Sequence, residues 1–153
     1  MTDPLVETWQ INARINLYLL QAVPAVAVSA VASSGGRTVG EAFAHIHNVR
    51  LMWLKASAPE LLAGLEKIDK GAITSAGLAK SLDASAAAIT SLLTRSLASG
   101  GKVKGFKPHV QAFVGYLVSH ESHHRGQIAL ALKQSGHPVD KKILFGMWEW
   151  GSR

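Results

Sequence analysis

The chain has no cysteine among its 153 residues. That excludes disulfides, thiolate metal ligands and a cysteine nucleophile. Any metal centre must use histidine, carboxylates and water, a donor set that favours Zn, Ni, Mn or Fe over metals held by soft thiolates. Long apolar runs are also missing. The longest weakly polar stretch, Leu17 to Ala32, is interrupted by Gln21, Pro24 and Ser29 and is too short to span a bilayer. The segment from Met1 to Glu7 lacks the basic region of a secretory signal, so a soluble, cytoplasmic protein is expected. Acidic residues are scarce, 10 against 16 Lys and Arg, for a net charge of +6. The basic residues are scattered, and the densest group, Lys102, Lys104 and Lys107, lies in a glycine-containing connection without interleaved aromatics. No helix-turn-helix spacing accompanies them, so a solvated basic surface is expected, with no nucleic acid partner and no membrane partner. A small anionic substrate is a better use for such charge.

Period-2 alternation is absent, whereas four segments carry helical periodicity. The first spans about Pro4 to Ala22, with Asp3 as N-cap and proline in the first turn. Pro24 ends it, and Ser33-Ser34-Gly35-Gly36 forms a turn. The second starts at Thr38, which pairs with Glu41 in a capping box, and runs to about Lys55. A short helix is expected over Glu60 to Lys67. The third covers Ser75 to Ala98 and closes on Gly100-Gly101, and the fourth covers Pro108 to Gln134, with Gly136 as its stop. An aromatic tail, Ile143 to Trp150, is expected to pack across the helices or against a second subunit. With no internal repeat, the expectation is one domain over residues 1–153: all-α, a four-helix bundle with a short C-terminal tail.

Within the fourth helix stands His120-Glu121-Ser122-His123-His124. At ~100° per residue, His120 and His124 fall on the face carrying Phe113, Tyr116, Leu117, Ile128 and Ala131, with His123 to the side. An i, i+4 pair of imidazoles points both rings one way and suits two ligands of one metal ion. Buried unsatisfied rings would be costly, and a metal would satisfy them. A third ligand must come from elsewhere. The second helix offers His45 and His47, which lie equally far to either side of Ile46, so spacing alone leaves both open. Tyr116, one turn before His120, is the best-placed hydroxyl, with a core role as its ordinary reading.

The run from Thr38 to Arg50, followed by His120-Glu121-Ser122-His123-His124-Arg125-Gly126-Gln127-Ile128 and Gly136-His137-Pro138, resembles the DinB/YfiT-like family of small bacterial metalloproteins. The resemblance extends from the first helix to about Val139. It implies a four-helix bundle with a divalent metal, Zn or Ni, held by His45, His120 and His124, with His47 as the alternative to His45. It also implies a homodimer and, in related members, a low-molecular-weight thiol as cofactor. The implied activity is that of a metal-dependent hydrolase or thiol-dependent transferase acting on a small molecule. A non-catalytic protein with a structural metal is the alternative.

His120-Glu121-Ser122-His123-His124 also satisfies the zinc-protease pattern in which the glutamate is a general base. The extended protease form requires glycine and histidine where this chain has Gln127 and Leu130. A surface or supporting role is therefore expected for Glu121. Arg125 and Gln127 are expected to make hydrogen bonds or an ion pair between helices. Asn48 and Arg50 are expected to orient a ligand, grip an anion or pair with a carboxylate. Trp53, Trp148 and Trp150 are expected in the core or at an interface.

Overall fold

The computed structural model describes residues 1–153 and is all-helical, with no strands. Its helices are α1 (Pro4–Gln21), α2 (Val39–Ser57), α3 (Ser75–Ala98), α4 (Val110–Gln134) and the short α5 (Lys141–Gly146). None is long and apolar enough to cross a membrane. The starts follow from local chemistry. Asp3 accepts from the Leu5 amide, and Thr38 and Glu41 form the reciprocal capping box. On α4, His109 itself is the N-cap, its ring nitrogen accepting from the Ala112 amide at 3.2 Å. At the start of α2, Gly40 has no room for a Cβ. Such an atom would lie 2.7 Å from Val28 Cγ1 and 2.9 Å from Ile73 Cγ2. That close approach lets the Gly40 amide donate to the Val28 carbonyl.

Helices α1 and α2 each pack against both α3 and α4. Two apolar clusters fill the interior. One gathers Leu19 and Leu20, Phe43 and Ile46, Leu78 and Leu82, Ile128 and Leu132. The other gathers Val6 and Trp9, Leu54, Ile89 and Leu93, Phe113 and Leu117. Each helix passes through both, so the order of its contributions gives its direction. Helices α1 and α4 run one way, α2 and α3 the other.

That arrangement explains the expected helix that is not there. Because α2 and α3 run parallel, the chain leaving α2 must travel back along it before α3 can begin. Only Pro59–Leu62 turns, as a 3-10 segment, and residues 63–74 are irregular rather than helical to Lys67. The returning strand of chain is fastened by α2 side chains. Asn48 donates to the Ile68 carbonyl and accepts from the Ile68 amide, both at 2.9 Å, and His47 Nε2 donates to the Glu66 carbonyl at 2.8 Å.

The C-terminal tail lies against α1. Arg153 stacks over Tyr18 at 4.1 Å from the ring centroid, Arg14 donates to the Arg153 carbonyl, and Gly146 abuts Tyr18. Trp148 stands in solvent, not in the core, while Trp150 is half-buried.

Between the two apolar clusters lies a buried polar layer drawn from all four long helices: Asn12 and Asn16, Arg50, Ser85, Glu121 and Arg125. Glu121, 1% exposed, is its hub. Its Oε1 accepts from Asn12 at 3.0 Å, Asn16 at 2.7 Å and Arg50 Nη2 at 2.7 Å, and its Oε2 accepts from Arg50 Nε at 2.8 Å. Arg50 also donates to the Leu82 carbonyl and the Ser85 hydroxyl and stacks on Trp9. Arg125 donates to the side-chain carbonyls of Asn12 and Asn16 at 2.9 and 2.7 Å. Burial draws the proton affinity of Arg125 down to about 10, against the opposing pull of Glu121, so it remains charged at neutral pH. The buried face of α4 is therefore centred on Glu121, one position past His120, and not on the histidines themselves. Tyr116, expected in the core, is 37% exposed.

Candidate metal centre

The polar layer sets the register of the histidines. Glu121 and Arg125 point into the interior, so the residues just before them, His120 and His124, are turned towards the edge of α4 that meets α2. The ambiguity on α2 resolves in the same way. Ile46 is fully buried, which sends its two neighbours to opposite flanks. His45 turns to α4 and His47 turns away, 1% exposed, onto the Glu66 carbonyl.

The ligating atoms of His45, His120 and His124 all lie within 4.8 Å of one another. His120 Nε2 is 3.3 Å from His45 Nε2 and 3.2 Å from His124 Nε2. Two nitrogens bound about 2.0–2.1 Å from one tetrahedral ion stand about 3.3 Å apart. The donor set thus fits a divalent ion of that size. The rings meet at steep angles, 57° between His45 and His120 and 73° between His120 and His124, so nitrogens and not ring faces converge.

Protonation favours binding too. Burial first, and then the positive charge of Arg37 and the neighbouring rings, lowers His45 to about 4. Burial likewise lowers His120 and His124, partly opposed by Glu121 at the first and Gln127 at the second. All three rings are neutral at pH 7, the state a metal requires.

Gln127 completes the arrangement. Its Oε1 lies 2.9 Å from His124 Nδ1, so that nitrogen donates its proton and Nε2 keeps its lone pair for the centre. The expected contact was between helices, but this one stays within α4, at i+3. Tyr116 reaches the site only as a ring stacked on His120, with centroids 6.3 Å apart and planes 16° apart. Behind it, Trp53, Phe106 and Phe113 form an aromatic cluster. His123 is exposed and His109 caps its helix, so neither joins the three.

Glu121 does not face the centre. Its oxygens are engaged by Arg50, Asn12 and Asn16, which leaves no carboxylate positioned as a protease base. Asn12 and Asn16 are visible in the sequence only as polar residues at i, i+4 on an otherwise apolar face of α1. Arg37, which lines the cavities beside the centre, carries no signal there.

Residues 1–142 match the family model described as the DinB family. The chain belongs to the DinB family. No curated protein and no solved structure matches it. As a DinB family member, it carries a group of three histidines that can hold a metal ion.

Proposed function

We propose that this DinB family chain is a metal-dependent enzyme, a hydrolase or thiol-dependent transferase acting on a small molecule. His45, His120 and His124 are its metal ligands, and the long helices form a four-helix bundle in a single cytoplasmic domain. The observation that carries the reading is the convergence of three neutral imidazole nitrogens, 3.2 and 3.3 Å apart, at a half-buried edge of the helices. A divalent ion there, Zn or Ni, would supply Lewis-acid chemistry that lowers the pKa of a water or thiol. The protein's part is to hold three nitrogens together, with Gln127 fixing the tautomer of His124, and to leave one side open to solvent. A low-molecular-weight thiol fits as cofactor, because the chain has no cysteine of its own. The family resemblance also supports a homodimer.

The alternative is a structural ion tying α2 to α4. Those helices are already joined by the buried Arg50–Glu121 pair, with a 2.7 Å contact, which leaves a metal little structural work. The half-buried position of His45 and His120 favours the enzyme for the same reason, since closed structural sites present no open side.

Metal content of wild type, His45→Ala, His47→Ala and His120→Ala tests the site. The expected result is about one ion per chain in wild type and His47→Ala, and loss in the other two. Thermal melts with and without chelator separate the two roles. A small shift is expected for an enzyme centre, and collapse of the fold would favour the structural ion. No bound metal in refilled wild type would remove both readings.

A further inference from the structure

Two cavities flank the triad, and Arg37 lines both. One, about 260 Å³, lies between the Ala32–Val39 loop and α4 and reaches Gln127. The other, about 210 Å³, lies between α2 and the returning segment. It is lined by His45, Arg37, Asn48, Lys67 and Lys70 together with Glu41 and Asp69. The charges differ in availability. Lys70 lies 3.6 Å from Glu41, in an exposed ion pair. Arg37 and Lys67 make no side-chain hydrogen bond or ion pair. One wall of the cavity beside His45 is fastened to the other, since His47 and Asn48 of α2 hold the backbone of 66–68. Arg37 stands close to the centre, since it lines the same cavity as His45.

We propose that the cavity beside His45 is an anion subsite, in which Arg37, with Lys67, grips the carboxylate of a small ligand whose other end reaches the three-histidine centre. A free guanidinium offers a planar pair of donors that matches a carboxylate bidentately, and ionised partners strengthen each bond. The cavity's size suits a small acid. His45 stands in its wall, so the subsite adjoins the centre. The inference rests on the proposed function and narrows it: the ligand is a small carboxylate-bearing thiol or electrophile, not a neutral or cationic one.

The test uses full-length protein loaded with Co(II) and two thiols of equal length, 6-mercaptohexanoate and 6-mercaptohexanol. Each is titrated by the thiolate-to-cobalt absorption band. Binding of one cobalt through both ends of the acid would close a large, disfavoured chelate ring, so the carboxylate remains available to the subsite. The acid is expected to bind about tenfold more tightly in wild type, the scale of one charged hydrogen-bonded contact. Arg37→Gln should bring the ratio near one with metal content unchanged, and Arg37→Glu should reverse it in favour of the neutral thiol. Equal binding of both thiols by wild type, or an acid preference that survives in Arg37→Gln, overturns the subsite while leaving the open centre intact. If neither thiol binds to fully loaded protein, the open centre and the subsite both fall.

Discussion

Glu121 and Arg50 meet in the middle of the protein, joined by two hydrogen bonds of 2.7 and 2.8 Å, with each side chain only 1% exposed. The pair lies in the layer beneath the three histidines and keeps α4 in the rotation that aims His120 and His124 at His45. Its role is positional, because Glu121 has no free oxygen facing the centre.

Glu121→Gln should therefore act on stability before chemistry. The substitution strands Arg50 and Arg125 as buried charges without an anionic partner, and breaking a buried pair costs about 3–5 kcal/mol. Urea denaturation monitored by circular dichroism measures this. Wild-type stability in the variant would show that the carboxylate is not what holds the helices in register.

Gln127→Ala should leave the fold intact, since Gln127 is exposed, yet weaken the metal centre. Losing an outer partner of a ligating histidine typically costs about 10- to 100-fold in metal affinity. Competition with a chromogenic chelator gives the number. An unchanged affinity would mean that the 2.9 Å contact with His124 has no influence on its tautomer.

His47→Ala should separate from His45→Ala. It removes the bond to the Glu66 carbonyl, worth about 1 kcal/mol, and loosens residues 66–70 without loss of metal. Faster tryptic cleavage after Lys67 and Lys70 and faster amide exchange there are the expected signs. Metal loss in His47→Ala would instead make it a ligand.

The metal-free protein should lose stability as pH falls. His45, His47, His120 and His124 all have proton affinities held below the ordinary value of 6.5, principally by burial. The unfolded chain therefore takes up protons first, and the loss begins near pH 6.5 and continues to about 4, where His45 itself titrates. Above 6.5 these groups impose no penalty. Melting temperatures between pH 8 and pH 4 report the slope, which solvent screening at the half-exposed rings will moderate. A flat profile would mean that the rings are solvated in the folded state.

Much of this protein could be read from the chain alone, and the reason is locality. Helix starts at Asp3, Thr38 and Ser75 follow from caps and propensities that act within one turn. The i, i+4 spacing of His120 and His124 makes them neighbours on any helix. That His45 and His47 must flank Ile46 was equally local. Which of them meets α4 was not, because it depends on how α2 is rotated, and the contacts of Ile46 and Arg50 with other helices set that rotation. Centring α4 on its apolar residues missed by one position for a related reason. Hydropathy counts Glu121 as surface, but partners more than seventy positions away, Arg50, Asn12 and Asn16, make its burial affordable. The parallel course of α2 and α3, and with it the irregular return through residues 63–74, likewise came from packing between distant segments. Periodicity along one helix reports which face is apolar; only the assembled helices decide what that face, and the polar groups within it, will touch.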